Sequence, residues 1–241
     1  ESRSLAAVAE EFHRCGDPRH VRLHLDHVPV IDEDNLRVDF TAVIGEALEL
    51  GYGSVMVDGS RLPLAENIAA TLQVTELAHR AGAPCEAELG AVLGHESGPI
   101  PPYEELFKSG KGFTRIDEAA RFVRESRCDW LSVAIGNIHG AISKASRDQK
   151  KVEARLNLEH LSKLAAATGI PLVLHGGSGV RREDVLGAVT RGIAKVNIGT
   201  EIRQAYETAL KAGDVAAAQD AVYRRTTEII RDYFNNAGIR K

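Results

Sequence analysis

The stretch Gly169-Ile-Pro-Leu-Val-Leu-His-Gly-Gly-Ser-Gly179 decides the fold. Ahead of it, Leu158, Leu161, Leu164 and Ala165 recur at helical spacing and mark one apolar face. Gly169 stands where a helix ends in a left-handed cap, and Pro171 to His175 is an apolar run of strand length. Gly176 to Gly179 then turns the chain into a new helix beginning near Arg181. The same punctuation recurs outward from this unit: Gly51, Gly82 and Gly192 also follow helical segments and precede strands. The other strand candidates are Val21 to Val28, Ser54 to Asp58, Pro84 to Leu89, Trp130 to Gly136 and Ala194 to Ile198, and Phe40, Val43, Ile44, Ala47 and Leu48 mark another helix face. Short buried strands alternating with amphipathic helices make an α/β fold with a parallel sheet. Polar clusters end nearly every strand, which suits the rim of a (β/α)8 TIM barrel better than the single switch point of an open doubly wound sheet.

The chain has 241 residues, 44% apolar and 27% charged, which suits one domain over residues 1–241. A closed barrel has eight strands and six are visible. The chain opens on Glu-Ser-Arg-Ser without Met, and Leu5, Val8, Ala9 and Phe12 resemble the tail of a helix. The expectation is that the N-terminal strands of the barrel are missing from this sequence. A formal charge of −4 with scattered lysines and arginines gives no field to attract nucleic acid, and every apolar stretch is too short for a membrane span. Cys15, Cys85 and Cys128 are odd in number and widely spaced, which suits reduced thiols in a cytoplasmic setting. The Gly- and Pro-rich segment 94–112 is expected to be a mobile active-site loop.

His27 closes His24-Leu-Asp-His27, His139 follows Ala134-Ile-Gly-Asn-Ile138, and His175 ends Pro171-Leu-Val-Leu174. Three imidazoles from three strands can hold a zinc ion and leave a fourth position open, although each alone could simply cap a strand. Asp26 beside His27 is suited to proton transfer, while Asp58 and Glu88 could offer a second metal position or orient the histidines. His13, His20, His79 and His160 look like solvated surface. The amides of Gly176, Gly177, Ser178 and Gly179 lead into a helix N-terminus, as do Asn197, Gly199 and Thr200, and two such turns side by side suit a phosphate.

His24-Leu-Asp-His27, Ser54-Val-Met-Val-Asp-Gly-Ser60, Glu86-Ala-Glu-Leu-Gly90, Ala134-Ile-Gly-Asn-Ile-His-Gly140, Leu174-His-Gly-Gly-Ser-Gly179 and Lys195-Val-Asn-Ile-Gly-Thr200 together resemble the class II, metal-dependent ketose-bisphosphate aldolases. The resemblance implies that His27, His139 and His175 bind one catalytic zinc ion and that Asp26 exchanges a proton with a sugar hydroxyl. It also implies that Glu96 moves the second proton, and that Gly140 joins the glycine turns in holding the phosphate of a phosphorylated ketose or of dihydroxyacetone phosphate. A monovalent cation beside the zinc and a homodimer or homotetramer are further expectations. The chain departs from the family pattern in its Pro29–Asn35 insertion, in Gly199 where Asp is frequent, and in His95-Glu96-Ser97.

The expected reaction is reversible cleavage of a ketose phosphate into dihydroxyacetone phosphate and an aldehyde. Rival readings are a Schiff-base aldolase using Lys195, a zinc hydrolase on the same fold, and a non-catalytic barrel subunit. Lys195 is expected instead to pair with barrel carboxylates.

Overall fold

Strands β1 (His24–Pro29), β2 (Ser54–Asp58), β3 (Cys85–Leu89), β4 (Trp130–Val133), β5 (Leu172–Leu174) and β6 (Ile193–Val196) pair in chain order, every neighbour parallel. The structure is a computed structural model and describes residues 4–90, 103–137 and 154–236. The result is an α/β fold with a six-stranded parallel half-barrel, in which β1 and β6 are the edges among the described residues. Helix α1 (Leu5–Cys15) precedes β1, and the crossovers carry helices α2 (Phe40–Glu49), α3 (Leu64–Arg80), α4 (Tyr103–Ser109), α5 (Ile116–Ser126), α6 (Leu158–Thr168) and α7 (Arg182–Val189). A helical hairpin, α8 (Thr200–Ala212) and α9 (Val215–Glu228), follows β6.

Helix α6 shows how the sequence bounds a helix at both ends. Asn157 accepts a hydrogen bond from the His160 amide at the start of α6, and Gly169 ends that helix at φ +66°. Gly51, Gly82 and Gly192 also hold positive φ, as their place after a helix requires. The buried faces of α5 and α6 meet the outer side of the sheet through Ala119, Phe122, Leu161 and Leu164. Full burial of a side chain such as Phe122 contributes about 2–3 kcal/mol.

The sheet has two chemically distinct faces. Val55, Val57, Cys85, Ala87, Leu131, Val133, Leu172 and Leu174 pack against helices in the apolar core. Side chains alternate along a strand, so His24, Asp26, Ser54, Asp58, Glu86, Glu88, Ser132 and Lys195 share the other face. Parallel strands are usually apolar on both sides. Here one side is ionised, and that side is the inner wall of the half-barrel.

One backbone irregularity lets adjacent Asp26 and His27 serve the same wall. On a regular strand they would point to opposite faces. Between the Leu25↔Val55 and Val28↔Val57 pairs, β1 carries one more residue than β2, which makes a bulge. His27 sits in it at φ +50°, with its amide 3.4 Å from Met56 Sδ. A left-handed conformation costs a non-glycine residue roughly 1–2 kcal/mol.

Most expected strands lie within a residue or two of their sequence positions, but β1 starts at His24 rather than Val21 and β4 stops at Val133 rather than Gly136. Thr114 takes over the ladder there: its amide donates to Ala134 O (2.9 Å), while its Oγ1 accepts from Ala134 N (2.8 Å) and donates to Leu89 O (2.6 Å). The Pro29–Asn35 insertion is a small hairpin, bridged at Ile31 and Arg37 and closed by Asp32 Oδ1 accepting from the Asp34 and Leu36 amides. Of the expected loop 94–112, residues 94–102 lie outside the described residues, and Tyr103–Ser109 is helix α4. No helix among the described residues is long and apolar enough to cross a membrane.

Candidate functional site

The inner wall gathers Asp26 and His27 from β1, Asp58 from the end of β2, Glu86 and Glu88 from β3, His175 just past β5, and Lys195 from β6. Asp26, His27 and His175 each offer a donor atom, all within 4.8 Å of one another, and the His27 and His175 rings lie 4.5 Å apart. Two further groups share these residues: His27, Asp58 and Glu88, and His24, Asp26 and Glu86. His139, Gly140 and Glu96, expected as a ligand, a phosphate contact and a proton carrier, lie outside the described residues.

His175 is fully buried between two glutamates. Its Nε2 is 2.9 Å from Glu86 Oε1 and its Nδ1 is 3.1 Å from Glu88 Oε2. Burial works against a charged imidazole, but the two carboxylates outweigh it and raise the His175 pKa to about 9. Glu86 and Glu88 diverge although they share this partner. Burial pushes both up, yet Glu86 ends below its ordinary value because it also holds Lys195 Nζ at 2.7 Å, whereas Glu88 stays raised, with Asp58 nearby. Lys195 therefore pairs with carboxylates, as expected for it on the last strand.

Burial also opposes the charge on Asp26, but contact with His24 and the Lys195 ammonium hold its carboxyl well below the usual range. Its Oδ2 accepts from Asn197 Nδ2 at 3.0 Å and its Oδ1 lies 3.4 Å from Lys195 Nζ. It remains 41% exposed, open to a ligand at the rim. Asp58, 3.6 Å from His27 Nδ1, is brought down to about 2 by His27 and Ser60 against the effect of burial. His27 is raised, burial being outweighed by Asp58 and the other acids.

Among the described residues, Asp26, Asp58, Glu86 and Glu88 thus crowd one wall with Lys195 as their fixed cation. Imidazoles and carboxylates in that proportion form a donor set suited to a divalent ion such as zinc. The residues present fit the metal that the resemblance implies.

The two glycine turns are neighbours. Gly177 N donates to Asn197 O at 3.0 Å, and a Cβ at Gly177 would stand 2.6 Å from Val196 Cγ1, so only glycine allows this approach. Ser178 is buried between them and the α7 start. Gly199, by contrast, has open space where a Cβ would stand, so packing does not demand glycine there.

Sequence alone gives Glu86, His24 and Asn137 no role beyond their places in motifs. The Glu86-Ala-Glu88 alternation carries the signal for Glu86, since residues two apart share a strand face. Asn137 accepts from Ile135 N and donates from Nδ2 to His175 O at 3.0 Å, tying the end of β4 to the buried histidine. Asn67 of α3 does the same for β3, donating to Glu88 O. His160 is not solvated surface: its Nε2 meets Thr114 O at 2.8 Å, because α6 packs beside the segment that extends β4. His79 is half-exposed but pairs with Asp129.

The sequence model of the class-II fructose-bisphosphate aldolases matches residues 1–238. A fructose-bisphosphate aldolase of Streptococcus pyogenes serotype M3 is 40% identical over 192 residues, 79% of this chain and 56% of the relative. A 6-phospho-5-dehydro-2-deoxy-D-gluconate aldolase of Halalkalibacterium halodurans is 36% identical over 79% of this chain and 57% of its own length. The chain thus spans about half the length of the curated relatives it matches. The crystal structure of the YdjI aldolase from Escherichia coli K12 superposes with a TM-score of 0.75 at 31% identity, over 98% of this chain and 78% of that one. With the motifs in order along the strand ends and a family match over nearly every residue, the chain belongs to the class-II fructose-bisphosphate aldolase family.

Proposed function

We propose that this chain carries the metal and proton-transfer site of an aldolase that reversibly cleaves a phosphorylated ketose to dihydroxyacetone phosphate and an aldehyde. The closed form of the fold would be an eight-stranded (β/α) barrel in one domain. The observation that carries the reading is the convergence of Asp26, His27 and His175 on one wall.

His27, His175 and, by resemblance, His139 would hold a zinc ion, which when bound supplies a Lewis acid for charge developing beside the ketone. Asp26 takes the proton from the hydroxyl on the carbon that becomes the aldehyde, as the carbon–carbon bond breaks. Contact with His24 and Lys195 keeps it ionised, and Asn197 and Lys195 hold its oxygens in place. Asp58 and Glu88 orient His27, while Glu86 fixes His175 from the far side. Gly176 to Gly179 and Asn197 to Thr200, with Gly140, would hold the phosphate, and Glu96 on the 94–112 loop would return the second proton. A monovalent cation fits the same acidic rim. Gly199 belongs to the second of these turns, and because a Cβ there meets nothing, the residue at this position is a candidate for setting which ketose is used.

Leu210, Val215, Tyr223 and Ile230 are exposed on the C-terminal helices and favour a homodimer or homotetramer. A cytoplasmic setting suits the free thiols.

Dihydroxyacetone phosphate mixed with a panel of aldehydes tests the reading. Carbon–carbon bond formation should require a divalent ion, and Asp26→Ala should bind the ion but lose turnover. Full activity in a metal-stripped sample, or trapping of substrate on Lys195 by borohydride, would overturn it.

A further inference from the structure

His24 is a titratable group on the inner wall for which the reaction as described has no use. It lies two residues before Asp26 and shares its strand face, and it pairs in register with Ser54 on β2. His24 Nδ1 is 2.8 Å from Ser54 Oγ. Its Nε2 is buried and lies 3.4 Å from Asp26 Oδ1 and 3.5 Å from Glu86 Oε2, in ion-pair range of both without a formed hydrogen bond to either. Both neighbours of Nε2 are carboxylates that can only accept, so that nitrogen must carry a proton. In a neutral ring Nδ1 is then the acceptor, and the Ser54 hydroxyl donates to it. The two carboxylates thus set the tautomer, and the Ser54 hydroxyl completes it by donating to Nδ1.

We propose that His24, in its Nε2–H form with the Ser54 hydroxyl bonded to Nδ1, is a positioning residue that sets the orientation of the Asp26 carboxylate. The inference rests on the aldolase reading of the same site. Asn197 holds Oδ2 and Lys195 approaches Oδ1 from β6, so both of those restraints come from the opposite edge of the half-barrel. His24 is the restraint from Asp26's own strand. Without it the carboxylate is free to swing toward Lys195, away from a substrate hydroxyl at the rim. His24 donates no atom to the reaction and needs no metal to act.

The test compares the zinc-loaded full chain with His24→Leu, His24→Gln and Ser54→Ala. Displacing a catalytic group by about 1 Å costs on the order of 100-fold, so His24→Leu should lose about that much in kcat. KM should stay within about twofold, because substrate binding is not what is lost. Bound zinc per chain should be unchanged. Glutamine can accept from Ser54 and donate to Asp26, so His24→Gln should recover most of the loss. Nitrogen-15 NMR of the imidazoles should show His24 protonated at Nε2 alone, and Ser54→Ala should keep that proton on Nε2 while Nδ1 loses its hydrogen-bond shift. The proposal falls if His24→Leu keeps wild-type kcat, if it loses zinc, if glutamine fails to rescue, or if the ring carries its proton on Nδ1. Should the leucine variant not fold, Ser54→Ala and the NMR tautomer decide alone. A wild-type chain with no aldol activity but an Nε2–H tautomer would sink the aldolase reading and leave the Ser54–His24 contact standing.

Discussion

Replacing Lys195 with methionine keeps the length of the side chain and removes the charge from the partner of a fully buried acid. Glu86 Oε2 would lose its 2.7 Å contact and be left with His24 Nε2 at 3.5 Å, while Oε1 would keep His175. Breaking a buried pair by removing one partner costs about 3–5 kcal/mol. The retained histidine and the partial exposure of Lys195 bring the expectation to roughly 2–3 kcal/mol, a fall of about 5–10 °C in Tm for a chain of this size. The sign with pH follows from Glu86, whose folded pKa is lowered below the ordinary 4.5. Its stabilising contribution is present above that value and is lost as pH falls through the folded pKa. The Lys195→Met penalty should therefore be near its maximum at neutral pH and shrink in acid, where Glu86 is neutral in both states. Glu86→Gln keeps an oxygen for His175 and removes the charge, so the double variant should recover most of the loss. Urea unfolding of the metal-stripped chain at neutral and acidic pH measures all three. A penalty that ignores pH, or a double variant no more stable than Lys195→Met, would show that Glu86 does not depend on this ammonium.

Thr114→Val preserves volume but strips Leu89 O of its donor and Ala134 N of its acceptor, and should cost about 2–4 kcal/mol in urea unfolding, with Thr114→Ser near wild type. A loss below about 0.5 kcal/mol would mean that water replaces the hydroxyl. Cys85 and Cys128 are buried and their thiols pushed up to about 12, whereas Cys15 is exposed, so a thiol reagent should label Cys15 first and the other pair only on unfolding. Rapid labelling of Cys85 in the folded chain contradicts this packing. Zinc uptake needs a neutral imidazole at His175, so affinity should rise with pH up to about 9 and then level. The same shift means that the proton on His175 stabilises the metal-free chain fully below the ordinary 6.5, and that this stability fades as pH climbs through about 9. Chelator competition across that range, flat with pH, would refute it.

The strands, their order of appearance and the strand-end histidines His27 and His175 are legible in the sequence because they depend on local signals. A glycine after a helix, a β-branched run and a polar residue at its end can each be read one element at a time. Glu86 and His24 stand inside legible motifs yet show no role there, because their function depends on which strand lies alongside. Nothing near His24 in sequence reveals that Ser54 stands opposite it, thirty residues on. Thr114 is invisible for the same reason: its hydroxyl finishes the ends of β3 and β4 from a connecting segment. The bulge at His27 is hidden differently. Adjacent Asp26 and His27 both required for one face is a pattern that a regular strand cannot satisfy, so the conflict in the sequence is itself the sign of an irregular backbone.

That irregularity also explains why the inner wall tolerates so much charge. A regular β1 would send either the carboxylate or the imidazole into the apolar layer against α2, where an unpaired ion costs several kcal/mol. The bulge exchanges that cost for the smaller one of a left-handed histidine, and it places His27 against Asp58 and Glu88. The acids still outnumber the fixed cation on the wall, and the proton on His175 makes up part of the difference. A divalent ion bound by the same imidazoles would take over that role as the proton leaves. The wall then exchanges one positive charge for another, so it can be assembled in the metal-free chain and need not reorganise its carboxylates when the ion arrives.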